Sequence, residues 1–205
     1  MTFTTPAFLG NAEQSGQWRT PPFKALLRQW WRVVYASRNG FDVDVAKMRK
    51  EEGMLFGHAW LDDDLDTKGK KVSARKGAVR MRLDNWSHGK LKVWPSSDVT
   101  IKHPEVANPV GSQLYLGYGS LVFRSGTGLK ANAAIQAGEH AQLSVAVPED
   151  GADAVVNALT LMNAYGAAGG RSRNGWGSFV LHPIGGASPR EKSGYHCVRA
   201  WLDCL

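Results

Sequence analysis

A run of large apolar residues at helical spacing begins directly after Thr20-Pro21-Pro22, and it narrows the folds open to this chain more than any other feature. Proline in the first helical positions forfeits no hydrogen bond and presets φ, so residues 20–22 predict a helix start. From there to about residue 37, Phe23, Leu26, Leu27, Trp30, Trp31 and Val34 recur every three or four positions. A stripe that broad, with Trp30 and Trp31 expected to be mostly buried, needs a wide apolar partner, and a sheet face supplies one. Lys24, Arg28 and Arg32 fall four apart on another face, as either a solvated surface or a basic track for a ligand.

The rest of the chain supplies strands and one more clear helix. Residues 3–9, with Pro6 inside, suit an edge strand, and residues 10–17 a polar loop. A short helix is expected around 44–52, then an acidic loop at Asp62-Asp63-Asp64 and a basic segment at 68–76. Residues 78–83 alternate like a strand with Arg80 and Arg82 on one face, and residues 91–94 read as its partner. Residues 114–123 and 141–147 are two more strand candidates, with Gly126 and Gly128 breaking the run between them. Asp150-Gly151-Ala152-Asp153 opens a second helix whose buried stripe is Val155, Val156, Leu159, Met162 and Tyr165, with Gly166 as its C-terminal cap. Residues 178–181 form a last strand. Strand, helix, strands, helix, strand is an α+β order, that of the split βαβ or ferredoxin-like (RRM-like) fold with insertions in its middle. Residues 1–185 are expected to form one such domain, and residues 186–205 a tail or the start of a second module.

Between the second helix and the last strand, residues 166–177 carry five glycines, two arginines and a tryptophan, more than turn-making requires. Glycine lets successive backbone N–H groups approach a phosphate, and Arg171 and Arg173 can add bidentate contacts. This is no nucleotide-binding P-loop, because it leaves a helix C-terminus whose partial negative charge repels phosphate; arginine must overcome that dipole. Gly175-Trp176-Gly177-Ser178-Phe179-Val180 imitates the aromatic motif of RNA-recognition domains, but its spacing and place in the element order are wrong. Trp176 serves either to stack on a base or to pack. The candidate RNA-binding residues are Gly169, Gly170, Arg171, Ser172, Arg173, Asn174, Gly175 and Trp176 of the loop with Arg19, Lys24, Arg28 and Arg32 of the first helix.

A net charge of +7 favours a polyanionic partner, nucleic acid before membrane. No apolar run is long enough to span a bilayer, residues 1–6 have no signal-peptide pattern, and Cys197 and Cys204 are too few for a disulfide framework. The expectation is a soluble, unprocessed, cytoplasmic chain without a membrane partner. The six histidines form no catalytic pair by spacing; His58, beside Phe56-Gly57, is the one weak candidate for a general base. Asp62, Asp63, Asp64 and Asp66 lack the ligand spacing of a calcium loop and read as a solvated turn. No metal or cofactor is expected. The two cysteines, seven apart, would share a face if the tail is helical.

Thr5-Pro6-Ala7-Phe8-Leu9-Gly10-Asn11-Ala12 and the segment from Trp18 to Arg32 resemble the N-terminal signature of the RAMP superfamily of CRISPR-associated RNA-binding proteins. The similarity is greatest to the first subunit of the Cmr (type III-B) effector. Leu55-Phe56-Gly57, residues 73–82, Tyr115-Leu116-Gly117-Tyr118-Gly119 and the glycine-rich loop resemble later landmarks in the same order. Ala25 and Asn174 stand where the family pattern has glycine and arginine, and the chain has length for one RAMP module where that subunit normally has two. The resemblance implies a noncatalytic subunit of a type III effector ribonucleoprotein in antiviral defence, binding CRISPR RNA and target RNA beside other effector subunits. Two other functions stand open: a metal-independent endoribonuclease processing CRISPR precursor RNA, and a protein-only assembly module.

Overall fold

The structure, a computed structural model, describes the chain except for residues 60, 62, 96–99, 103, 106, 108, 125, 183, 185–194 and 199–205, and gives the backbone alone for 195–198. Helix and strand mix along its length: β1 (Thr2–Phe3), α1 (Thr20–Arg38), α2 (Val45–Phe56), β2 (Gly57–His58), β3 (Arg75–Lys76), β4 (Arg80–Leu83), β5 (Thr100–Ile101), β6 (Val110–Gly111), α3 (Ser112–Gly117), β7 (Leu121–Phe123), β8 (Thr127–Leu129), β9 (Leu143–Pro148), α4 (Ala152–Tyr165), β10 (Phe179–Val180) and β11 (Tyr195–Val198). Contacts divide the chain into two units. One comprises Met1–Phe23, Leu83–Gln142 and Gly166–His182; the other comprises Lys24–Arg82, Leu143–Tyr165 and Pro183–Leu205.

The first unit is closed by its two ends. β1 pairs antiparallel with β10, Thr2 opposite Val180 and Phe3 opposite Phe179. Phe3, Trp18, Phe23 and Phe179 are all buried, and the Phe3 ring lies 5.2 Å from Trp18 and 5.9 Å edge-on to Phe179. Such offset and edge contacts suit the aromatic quadrupole and add to the area buried. A carboxylate sits beside this cluster: buried Glu139 accepts the backbone N–H of Lys90 at 2.7 Å, that of Gln136 at 2.6 Å and the Trp18 indole N–H at 3.3 Å. Its burial is tolerable because those donors replace water. A second core gathers Trp94, Leu114, Leu121, Leu129 and Ala134, with Phe8, Leu91 and Trp176 against it.

In the second unit, α1 buries Leu27, Trp31, Val34 and Tyr35, and α4 buries Val155, Ala158, Leu159 and Met162. Trp31 meets Phe56 of α2 edge-on at 6.0 Å. The sheet runs β11-β9-β4, with Val145 and Val147 of β9 buried. Asp44 caps α2 by accepting the Lys47 N–H at 3.1 Å.

Five expectations are corrected. Residues 91–94 form no strand: Leu91 makes a single bridge to Ala134, Trp94 joins the aromatic core, and β4 takes β9 as its neighbour. Residues 114–123 split into a turn of helix and β7, because Leu114 and Gly117 bury one helical face before Gly119, at φ 96°, ends it. A short apolar run fits either period, so its pattern could not decide. Gly126 forms the turn of a β7–β8 hairpin. Tyr165 ends α4 at 73% exposure, outside the buried stripe, and Trp30, whose ring lies 5.9 Å from it, is half-buried. The tail is a strand at Tyr195–Val198, antiparallel to β9, so Cys197 lies on a strand; Cys204 falls outside the described residues.

Candidate nucleic-acid interface

The loop at 166–177 is fastened along most of its length. Ser172–Asn174 is a 3-10 turn flanked by Arg171 at φ 58° and Gly175 at φ 84°. The N-terminal segment holds the loop: Gly170 donates to the Phe8 carbonyl at 3.0 Å, Gly177 to Pro6 at 2.8 Å, and the Thr5 hydroxyl to Gly175 at 2.8 Å. Asn174 donates from Nδ2 to the Leu116 carbonyl at 2.7 Å. Two glycines are steric necessities. A methyl on Gly177, at φ 73°, would stand 2.0 Å from the Ala168 carbonyl, and one on Gly169, at φ 104°, 2.8 Å from that of Phe8.

Fastening uses part of the loop's backbone. The amides of Ala168, Gly170, Asn174, Gly175 and Gly177 all donate to backbone carbonyls within this unit. Among the loop's side chains, two guanidinium groups are the ones that can meet an anion. Arg171 and Arg173 are exposed, and neither side chain has a hydrogen bond or ion pair among the described residues. Arg171 holds a left-handed conformation uncommon for a residue with a Cβ, and places its Nη2 3.2 Å from where a methyl on Gly119 would be. Trp176 is built into the wall, 5.4 Å edge-on to Trp94 and 5.7 Å from Phe8, with its indole N–H buried and without a partner among the described residues.

Three of the four other basic candidates, Arg19 just before α1 and Arg28 and Arg32 on it, are engaged within the fold. Arg19 donates from Nη1 to the Gly10 carbonyl at 2.8 Å, and its Nε is buried without a partner. Arg28 and Arg32 converge on buried Glu52: Arg32 is bidentate at 2.7 and 2.8 Å, Arg28 donates at 2.7 Å and also lies over the Phe56 ring. Burial pushes the Glu52 carboxyl up, but the Arg32 and Arg28 hydrogen bonds outweigh it and hold the group below the ordinary carboxylate range. Lys24, half-buried, has no carboxylate partner among the described residues; burial, then neighbouring Arg28, lowers its pKa.

His58 and the acidic loop belong to a clip in the second unit. The His58 side chain is 1% exposed; its Nδ1 accepts the Leu61 N–H at 3.4 Å, so Nε2 carries the proton and donates to Asp64 at 2.6 Å. Arg75 closes the other side of Asp64 with contacts of 2.8 and 2.7 Å. Arg75's hydrogen bond, opposed by desolvation and aided by His58, lowers the Asp64 carboxyl to about 2. Asp63 pairs with Lys50 at 2.9 Å, and Asp62 lies outside the described residues. A histidine so enclosed does not reach a ribose hydroxyl.

A cleft of about 190 Å³ lies in the first unit, between the turn at 10–16 and residues 119–133, and Gln14, Ser120, Leu129 and Lys130 in its lining were not singled out by pattern reading. Phe8 and Leu129 supply apolar surface, and Gln14, Ser120 and Lys130 bring polar side chains. Tyr118, one residue before Gly119, is 66% exposed. The sequence signals for the cleft's walls are the motif containing Phe8, Gly10 and Asn11 and the paired glycines of Tyr115-Leu116-Gly117-Tyr118-Gly119. Compared with known proteins, the chain matches no family model, no curated protein and no solved structure.

Proposed function

We propose that this chain is an RNA-binding subunit of a type III CRISPR ribonucleoprotein that grips the sugar-phosphate backbone through Arg171 and Arg173. One observation carries the reading: two exposed arginines with no acidic partner among the described residues stand on a loop fastened at both flanks, while Arg28 and Arg32 share the carboxylate of Glu52. A guanidinium presented from a rigid support loses little freedom on meeting phosphate. The charge of +7 adds long-range attraction, and the RAMP-like motifs named above supply the CRISPR context. The ferredoxin-like reading draws support from two pairings that such a sheet contains, first strand with last and the two middle strands together, which here belong to separate sheets. β1 pairs with β10 in one unit and β4 neighbours β9 in the other.

Binding of labelled single-stranded RNA across a salt series tests the grip. Each of Arg171→Ala and Arg173→Ala lowers the slope of log affinity against log salt by about 0.7, with little dependence on RNA sequence. Unchanged slopes in both variants refute it. Sequencing the RNA that copurifies with the chain tests the context: repeat-derived ends support a CRISPR ribonucleoprotein, and unrelated transcripts remove it.

A further inference from the structure

The geometry points to the cleft beside the glycine-rich loop as a pocket for one unpaired RNA base, whose flanking phosphates meet Arg171 and Lys130; this rests on the RNA-binding reading above. The walls are tied together at one side by backbone. The Gly16 N–H donates to the Ala133 carbonyl at 2.8 Å, and a methyl on Gly16 would come within 2.7 Å of that oxygen. The Lys130 N–H donates to the Ser120 carbonyl at 3.0 Å, and Gly170 stands close enough to Ser120 that its missing side chain leaves the hydroxyl open, a methyl there lying 3.2 Å away. Held this way, the cleft needs no rearrangement to admit a ligand.

Its chemistry is that of a nucleotide. Phe8 and Leu129 offer apolar surface for a base, and the Gln14 amide offers a donor and an acceptor together, as a base edge requires. The side-chain polar groups of Gln14, Ser120 and Lys130 make no hydrogen bond or ion pair among the described residues, so they are available to a ligand. Cations stand on two sides: Lys130 lines the cleft, and Arg171 lies against Gly119, which forms part of its wall. With Trp176 packed against Trp94 and Phe8, this cleft takes over the base-holding role. A paired base, with its edge already occupied, is excluded.

A short uridine oligonucleotide, its abasic ribose-phosphate counterpart and the same oligonucleotide in duplex with its complement are titrated into the full chain. The single strand binds more tightly than the other two, by about tenfold or more against the abasic chain. Ala131→Phe, which fills the cleft, brings the uridine oligonucleotide down to the abasic level, and Gln14→Ala, at an exposed position, weakens it several-fold. Neither variant alters the salt slope that Arg171→Ala reduces. Equal binding of the base-bearing and abasic chains overturns the pocket and leaves the backbone grip standing; wild type that binds none of the three overturns the grip as well. Should Ala131→Phe melt early, the abasic comparison and Gln14→Ala still decide.

Discussion

Glu52 sits between Arg28 and Arg32 with its carboxylate 5% exposed, while the arginines reach solvent at 31% and 48%. Glu52→Ala removes the one carboxylate that both arginines share, but the freed guanidiniums rehydrate in place. The expected loss is therefore about 1–3 kcal/mol rather than the larger cost of stranding a fully buried charge, read as a shift in urea midpoint at unchanged m. Asp64 sets a pH dependence. Its folded carboxyl lies near 2 against 3.8 ordinarily, so its contribution is complete above about pH 4 and drains away as pH falls through about 2. Asp64→Asn should flatten the fall in stability between pH 4 and 2, and a fall as steep as that of wild type would refute the assignment. The sequence showed these acids and bases but not their pairing. Glu52 lies twenty or more positions from its arginines, and no local spacing links them.

Among the elements, α2 and the glycine-rich loop make contrasting demands. The Asp44 cap satisfies one N–H that the first helical turn leaves open, and Asp44→Ala should cost about 1 kcal/mol in thermal or chemical melting. Gly69 and Gly177 have almost the same left-handed φ, 74° and 73°, but a methyl at Gly69 meets nothing within 4 Å. Gly69→Ala then costs the conformational strain alone, roughly 1–2 kcal/mol, and Gly177→Ala costs more because the loop must shift off the Ala168 carbonyl. Equal effects would mean the loop is not fastened. Both long helices were legible from apolar period and start signals. The loop's glycines were legible as a density, but not as packing glycines, because what Gly169 packs against is Phe8, some 160 positions earlier, and what Gly177 packs against is the Ala168 carbonyl brought back by the loop's own fold.

Across the whole chain, the contacts that complete the first unit join residues nearly the full sequence apart, Thr2 with Val180 and Phe3 with Phe179. Loop-closure entropy must be met before such contacts give anything back, so refolding belongs in the millisecond-to-second range of non-local topologies; microsecond refolding in a temperature jump would contradict it. Removing residues 1–9 should likewise deprotect the Gly170 and Gly177 amides to hydrogen exchange, since their acceptors are Phe8 and Pro6. Sequence reading expected one domain over residues 1–185; the grouping of contacts into two units depends on which surfaces meet across long sequence separations, which no local pattern records. The two units alternate along the chain, changing over after residues 23, 82, 142, 165 and 182. No single cut yields both units intact, and neither is encoded by one uninterrupted stretch of gene. Exon-like shuffling could not have traded either one as a cassette, and a crossover at an arbitrary point hands the recombinant parts of both. A transfer that keeps either unit whole must carry three separated segments together.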